Sequence, residues 1–263
     1  MSNSFSKLAL GCCFLFGMTV MSAHSNSAET GFLDRSVSVN GVPHKYQVFV
    51  PEGWTKSQAW PVIVFLHGTG ESGDDGMAQT DGGIGAAIRR YRSRFPVIVV
   101  LPQAQSGLLW SESAMREMVI AALDAASLEF NGDPSRTYLT GLSLGGHGTW
   151  VIAGDYPGRF AAIVPVCGRI AAPNLRTKAD RLHAYTAVAK KIGAAMPVWI
   201  FHGSDDPIVP VIESRRMYAA MKALHGEAKY TEYRGVGHDS WVNAYAEAEL
   251  MPWLLSKSLP ASH

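Results

Sequence analysis

Gly141-Leu142-Ser143-Leu144-Gly145-Gly146 is the stretch that decides the fold. The β-type run Thr137–Thr140 leads into it, and a segment of helical period, Gly145–Gly154, leads out of it. A serine between a strand and a helix, with glycine two residues before and two after, is the G-x-S-x-G pattern of a sharp strand-to-helix turn. So tight a turn strains the central residue's backbone and would drive the side chains at its two flanks together, which is why Gly141 and Gly145 are needed. It lifts the Ser143 hydroxyl above the sheet and sets it at a helix N-terminus, where backbone N–H groups point at developing negative charge.

Working outward, short β-type runs recur along the chain at Ser36–Val39, Lys45–Val50, Val62–Leu66, Val97–Leu101, Thr137–Thr140, Ala162–Pro165, Val198–Phe201 and Lys229–Tyr233. Asn40-Gly41 between the first two is a hairpin signal. The middle runs are continuously apolar, as parallel strands buried on both faces must be. Segments of helical period separate the later strands, roughly at Gly83–Arg92, Ser113–Glu129, Gly145–Gly154, Lys178–Ile192 and Ile212–Leu224, with a last one over Trp241–Leu255. An antiparallel start followed by βαβα alternation predicts one α/β domain built on a mostly parallel sheet.

Composition agrees. The 263 residues are 47% hydrophobic and 17% charged, which excludes a disordered chain. Lys+Arg number 23 and Asp+Glu 22, so there is no electrostatic case for a nucleic-acid or anionic-membrane partner. Lys7, the apolar run Leu8–Val20 and the small polar residues ending in Asn26-Ser27-Ala28 have the layout of a secretory signal peptide, with cleavage after Ala28. That divides the chain into a signal segment, 1–28, and a catalytic domain, 29–263, and predicts a secreted or periplasmic protein. A buried first helix, an uncleaved anchor and a lipoprotein cysteine at Cys12 are the alternatives; the apolar run is too short for a stable membrane span. Cys12 and Cys13 fall in the removed segment, leaving Cys167 as a buried structural thiol.

A serine hydroxyl is a poor nucleophile without a base and an acid to orient that base. The later strand ends offer both. His202-Gly203-Ser204-Asp205-Asp206-Pro207-Ile208-Val209-Pro210 follows the run Val198–Phe201, and Gly235-Val236-Gly237-His238-Asp239-Ser240-Trp241 follows Lys229–Tyr233. Loops at the carboxyl ends of parallel strands are where such sheets gather their sites. His238 is the candidate base, and Asp206 or Asp205 the candidate acid; Asp239 reads as a turn residue. The strand Val62–Leu66 ends in His67-Gly68-Thr69-Gly70, whose position assigns the Thr69 N–H, together with that of Leu144, to an oxyanion hole. His67 reads as a buttress of that loop.

Two other patterns carry less. Gly68-Thr69-Gly70-Glu71-Ser72-Gly73 matches G-x-G-x-x-G, but no acidic residue closes the next strand, which ends in Pro102, so a dinucleotide site is not expected. The nine histidines form no H-E-x-x-H and no tight His/Cys cluster, so neither a metal nor any other cofactor is expected.

Taken together, Phe65–Gly73, Gly141–Trp150 (GLSLGGHGTW), His202–Pro210 and Gly237–Trp241 resemble the α/β-hydrolase superfamily. The branch is that of secreted carboxylesterase/phospholipase-like proteins, including a group labelled predicted peptidases and relatives of polyhydroxyalkanoate depolymerases and feruloyl esterases. The likeness runs from Val62 to Leu255, and the tail segments Ala244–Leu250 and Trp253–Leu255 share it. It implies an eight-stranded, mostly parallel sheet with helices on both faces and no large cap domain. In that family's H-G-x-x-D-P-x-V-P pattern the acid precedes the proline, which favours Asp206 over Asp205. The implied activity is hydrolysis of carboxylic esters by Ser143, Asp206 and His238 through an acyl-enzyme; a serine peptidase using the same residues and a non-catalytic binding protein on the same fold are the alternatives. Only 29 residues, Gly168 to Met196, separate the sixth and seventh strands. That implies an open site suited to bulky or polymeric ester substrates. Trp241 and Trp110 are the candidates to line it, and Trp150 is expected in the core.

Overall fold

The computed structural model describes residue 1 and residues 29–170 and 178–260, so the expected signal segment lies outside the described residues except for Met1. Eight strands form a single sheet: β1 (Gly31–Val39), β2 (Val42–Val50), β3 (Trp60–Leu66), β4 (Ile98–Pro102), β5 (Gly132–Leu142), β6 (Ala162–Val166), β7 (Val198–Gly203) and β8 (Ala228–Tyr233). Their order across the sheet is β1-β2-β4-β3-β5-β6-β7-β8. β2 runs antiparallel to both β1 and β4, and the six strands from β3 to β8 are mutually parallel. The hairpin joining β1 to β2 turns on Asn40 (φ 50°) and Gly41 (φ 81°), the two positive φ angles that a two-residue turn of this hand requires.

Every residue of β3, β4, β6 and β7 is buried. The pleat divides them between two cores. Val62, Val64 and Leu66 of β3 pack on one face, Ile63 and Phe65 on the other. The first face is covered by α2 (Ser113–Phe130), α3 (Leu144–Asp155), α4 (Lys178–Ile192) and α5 (Ile212–Ala223), which contribute Met115, Val119, Trp150, Ile152, Tyr185 and Met217. The second is covered by α1 (Gly83–Arg90), α6 (Trp241–Ala246) and α7 (Leu250–Leu255) through Ile84, Ile88, Tyr245 and Leu254. This is the expected eight-stranded α/β-hydrolase architecture, and Trp150 is in the core as expected. Between β6 and β7 the described residues hold α4 and no cap domain.

Several boundaries differ from the sequence reading: β1 begins at Gly31 rather than Ser36 and β2 at Val42 rather than Lys45, the two paired along their whole length. β5 begins at Gly132, five residues earlier than its apolar run, because Gly132 pairs with Trp60 across an irregularity in the β3 register. The single C-terminal helix expected over Trp241–Leu255 is two, α6 and α7. Pro252 has no N–H and its ring would meet the carbonyl one turn back, so it fits in the first turn of a new helix but not inside a continuous one. Glu247 (ψ 124°) makes the break.

Candidate active site

The parallel strands deliver their ends to one edge of the sheet, and the β5–α3 junction sits in the middle of it. Ser143 has φ 52° and ψ −110°, a conformation rare for a residue with a side chain. The backbone is held there from two sides. Ser143 N–H donates to Val166 O at 3.0 Å, and Ser143 O accepts the His147 N–H at 3.0 Å. The flanking glycines are required by contact: a Cβ on Gly141 would lie 2.4 Å from Gly145 O, and one on Gly145 would lie 1.9 Å from Leu66 O.

Ser143 Oγ is 2.9 Å from His238 Nε2, and His238 Nδ1 is 2.7 Å from Asp206 Oδ2. A carboxylate accepts only, so Nδ1 carries the proton and donates to Asp206, leaving Nε2 as the acceptor for the serine hydroxyl. The Asp206 side chain is fully buried. Its Oδ1 accepts the N–H groups of Ile208 (2.8 Å) and Val209 (2.9 Å), which fixes the carboxylate plane. Behind it stands His202, 0% exposed. Ser214 Oγ lies 2.6 Å from its Nδ1, and its Nε2 donates to Val209 O at 2.8 Å and faces Asp206 Oδ2 at 3.2 Å. Burial keeps the His202 pKa low, so this contact supplies an N–H to the carboxylate from a neutral ring. Asp205, the rival acid, faces outward and accepts from Ser204 Oγ at 2.6 Å.

The loop after β3 is clamped from below. His67 is fully buried, and its Nε2 accepts the Ala104 N–H at 2.9 Å. Its Nδ1 therefore carries the proton and donates to Gly68 O at 2.5 Å. Burial holds the His67 pKa down at about 4, against the opposing pull of the Gly68 bond, and the ring is neutral at physiological pH. Gln103, at the end of β4, donates to Glu71 O (3.1 Å) and accepts the Gly76 N–H (2.7 Å). Above this clamp the N–H groups of Thr69 and Leu144 have no acceptor among the described residues, and both residues line the cleft that Ser143 opens into. The segment Gly68–Gly73 leads into a short 3-10 turn rather than the long helix a dinucleotide site would need.

That cleft measures about 560 Å³. Leu109, Leu144, Ile170, Ile208 and Val209 give it apolar walls, and Ser111, His147 and Arg169 join Thr69 as its polar points. Trp110 is not among them. Its side chain is fully buried, donating from Nε1 to His67 O at 3.0 Å with its ring edge-on to His67 at 4.9 Å. The expectation that Trp110 lines the pocket is corrected: the indole N–H needs an acceptor, and the carbonyl beneath the loop provides one. Trp241 is partly exposed and sets its ring edge-on to His238 at 5.3 Å. It lines a separate groove of about 300 Å³ with Gly82, Gly83, Tyr91 and Val242.

Cys167 is buried as expected, and burial pushes its thiol up to about 12. Its Sγ, an Asp206 oxygen and an His238 nitrogen lie within 4.8 Å of one another. Since the carboxylate and imidazole are already bonded to each other and the thiol stays protonated, this trio is packing behind the site rather than a set of metal ligands. Sequence reasoning gave no role to His202, Gln103 or Arg169. His202 opens the quoted His202–Pro210 stretch, but its partner Ser214 lies on α5, and nothing local announces that pairing.

A model of the phospholipase/carboxylesterase family matches residues 95–249. Among curated relatives, poly(3-hydroxyalkanoate) depolymerase C of Paucimonas lemoignei is 30% identical over 186 residues, 64% of this chain and 41% of that protein. Acetylxylan esterase A of Emericella nidulans is 28% identical over 153 residues, 54% of this chain and 46% of that one. The chain thus spans less than half the length of either. Among solved structures, a thermostable esterase superposes with a TM-score of 0.74 at 32% identity, covering 86% of this chain and 63% of the other. A feruloyl esterase module from Clostridium thermocellum superposes with a TM-score of 0.68 at 15% identity, over 88% of this chain and 90% of the module, which speaks for the fold alone. No helix of the described residues is long and apolar enough to cross a membrane. The family's match runs from just ahead of β4 to the end of α6, through the elbow and both later loops: the chain belongs to the phospholipase/carboxylesterase family of α/β-hydrolases.

Proposed function

We propose that the protein is a serine hydrolase of carboxylic esters, with Ser143 as nucleophile, His238 as general base and acid, Asp206 as the residue that orients and charges-balances the imidazole, and the Thr69 and Leu144 amides as oxyanion hole. The observation that carries this reading is the unbroken chain of hydrogen bonds from Ser143 Oγ through His238 (2.9 Å) to Asp206 (2.7 Å), beside two amides without acceptors. His238 Nε2 takes the hydroxyl proton as Ser143 Oγ bonds to the ester carbon. The carbonyl π electrons move to oxygen, where the two amides hold the negative charge. When the tetrahedral adduct collapses, the C–O bond to the alcohol breaks and the imidazolium gives its proton to the leaving oxygen. Water then repeats the sequence on the acyl-serine, releasing the acid and restoring Ser143.

Ester rather than amide substrates are favoured by the activities named for the depolymerase and esterase relatives. Between β6 and β7 the described residues hold α4 alone, which favours bulky or polymeric esters. Residues 29–263 act as one catalytic domain, released by cleavage after Ala28 to the periplasm or the medium; the mass of the secreted product tests this. Ser143→Ala will lower kcat on a p-nitrophenyl ester by about 10⁵- to 10⁶-fold, with an unchanged melting profile, and a fluorophosphonate will label Ser143 alone. Full activity in pure Ser143→Ala protein refutes the assignment. A matched amide cleaved as fast as its ester would instead make the protein a peptidase with the same residues.

A further inference from the structure

Among the described residues that line the cleft beside Ser143, Arg169 alone carries a formal charge, and no described carboxylate pairs with it. Arg169 lies on the turn after β6, where its backbone is fixed from two helices. His147 on α3 donates from Nδ1 to Arg169 O at 2.9 Å, and the buried Glu213 on α5 accepts the Ile170 N–H at 3.0 Å. The guanidinium itself donates to Ile208 O at 3.2 Å. Of its five N–H donors that uses one. No carboxylate among the described residues lies within ion-pair distance of it, and residues 2–28, 171–177 and 261–263 contain no Asp or Glu. His147 adds no second charge, because burial lowers its pKa and the ring stays neutral.

The wall around this cation is apolar. Ile170 and Val209 flank it, while Ile208 and Leu109 form an exposed rim (60% and 46% exposed). A guanidinium in such a setting is only partly hydrated and offers a planar fork of donors, the geometry that a carboxylate meets with two hydrogen bonds. The cleft also has a direction. It holds Ser143 and both oxyanion residues, Thr69 and Leu144, so the ester carbon sits at its mouth. The leaving oxygen must stay within reach of His238 Nε2, and the His238 ring stands edge-on to Trp241, which lines a separate groove. The acyl half therefore extends into the cleft toward Arg169, and the alcohol departs on the Trp241 side.

Building on the proposed ester-hydrolase activity, we propose that the preferred substrates carry a free carboxylate on the acyl half, as in half-esters of dicarboxylic acids, and that Arg169 pairs with it.

The test measures phenol release from monophenyl succinate, glutarate, adipate and suberate beside their methyl-capped diesters, which have the same chain and no charge. For the chain length that spans Ser143 to Arg169, kcat/KM on the free acid will exceed that on the methyl diester by about tenfold or more, a difference of about 1.4 kcal/mol. Raising ionic strength will shrink that ratio. Arg169→Gln will bring it to about one, and Arg169→Lys will restore part of it, because Lys keeps the charge but not the fork. A wild-type ratio near one at every length overturns the proposal, as does an Arg169→Gln variant that loses equally on both members of each pair. The capped diesters separate the two levels of the argument. If they turn over while the acids are not preferred, the Arg169 assignment alone falls; if neither is cleaved and a fluorophosphonate leaves Ser143 unlabelled, the hydrolase reading falls and takes this one with it.

Discussion

Replacing His67 by Gln will make the protein less sensitive to acid, and the size of the effect follows from the clamp beneath the loop after β3. In the folded chain His67 is sealed from solvent, accepts the Ala104 N–H and has its remaining N–H committed to Gly68 O. Burial disfavours the charged imidazolium, which is why the pKa falls from its ordinary 6.5 to about 4, and a second proton on Nε2 would also evict the Ala104 donor. The unfolded chain has no such constraint and takes the proton near 6.5. The stability that His67 contributes in its neutral form is thus complete above pH 6.5, drains away as pH falls toward about 4, and is flat below that. Each pH unit between the two values is worth about 1.4 kcal/mol, so the loss across the window amounts to about 3 kcal/mol. Gln can accept from Ala104 and donate to Gly68, and it does not titrate. At neutral pH His67→Gln will be the weaker protein by about 1–3 kcal/mol, through the lost ring contact with Trp110. By about pH 4 that gap will close or reverse. Urea unfolding of both proteins at about pH 7, 5.5 and 4, followed by tryptophan fluorescence, measures it. His147, His202 and the carboxylates titrate in both proteins and cancel. A gap that stays constant across the three pH values would mean that His67 is not held neutral, and the account of the loop's rigidity would go with it.

Other substitutions separate the roles assigned above. Asp206→Asn will lower kcat by about 10⁴-fold through the wrong imidazole tautomer, while Asp205→Asn, on the outward-facing carboxylate, will change it by less than about threefold; comparable losses would reopen the choice of acid. Gly145→Ala places a Cβ 1.9 Å from Leu66 O and will cost more than about 3 kcal/mol, a drop of about 6–12 °C in Tm, whereas Gly70→Ala, with nothing within 4 Å of its Cβ, will fold normally. Trp241→Ala will lower kcat/KM by a factor that varies with the alcohol half of the ester and not with acyl length; a loss that tracks acyl length places the acyl group on the wrong side of His238.

The eight strands and the elbow were legible because each is announced locally. Buried parallel strands are apolar throughout, and the turn at Ser143 admits only glycine at positions 141 and 145. Strand-end position marks His238 and the pair Asp205 and Asp206 in the same local way, and only the family resemblance favours Asp206 within that pair. What the sequence hid are pairings between polar groups far apart in the chain. His202 meets Ser214 through the packing of α5 on the sheet, and Gln103 closes the β3 loop only because β4 lies beside β3 in the sheet order. Trp110 follows the same rule. A tryptophan next to a site can face the ligand or brace the loop, and its neighbours in sequence are the same in both cases; the free carbonyl of His67 decides. The C-terminal helix was misread as one because apolar periodicity survives a break that Pro252 enforces.

Ser143, the proposed nucleophile, is held in a costly backbone conformation, and the sheet rather than the site offsets that cost. Ser143 (φ 52°) and Cys167 (φ 41°) are non-glycine residues at positive φ, one at the end of β5 and the other at the end of the neighbouring β6. Such conformations cost on the order of 1–3 kcal/mol each and persist only where their surroundings fix them more than once. Here each carries the ladder one step past its strand: Ser143 N–H donates to Val166 O at 3.0 Å, and Cys167 N–H to Phe201 O at 2.9 Å. The two turns are then locked to each other without side chains, since a Cβ on Gly146 would lie 2.5 Å from Val166 O and one on Gly168 2.5 Å from the Gly146 carbonyl carbon. Arg169 is the next residue after that contact. The proposed nucleophile and the cation proposed for its substrate are therefore tied by backbone against backbone, and the distance between them is a property of the sheet's register rather than of any flexible loop.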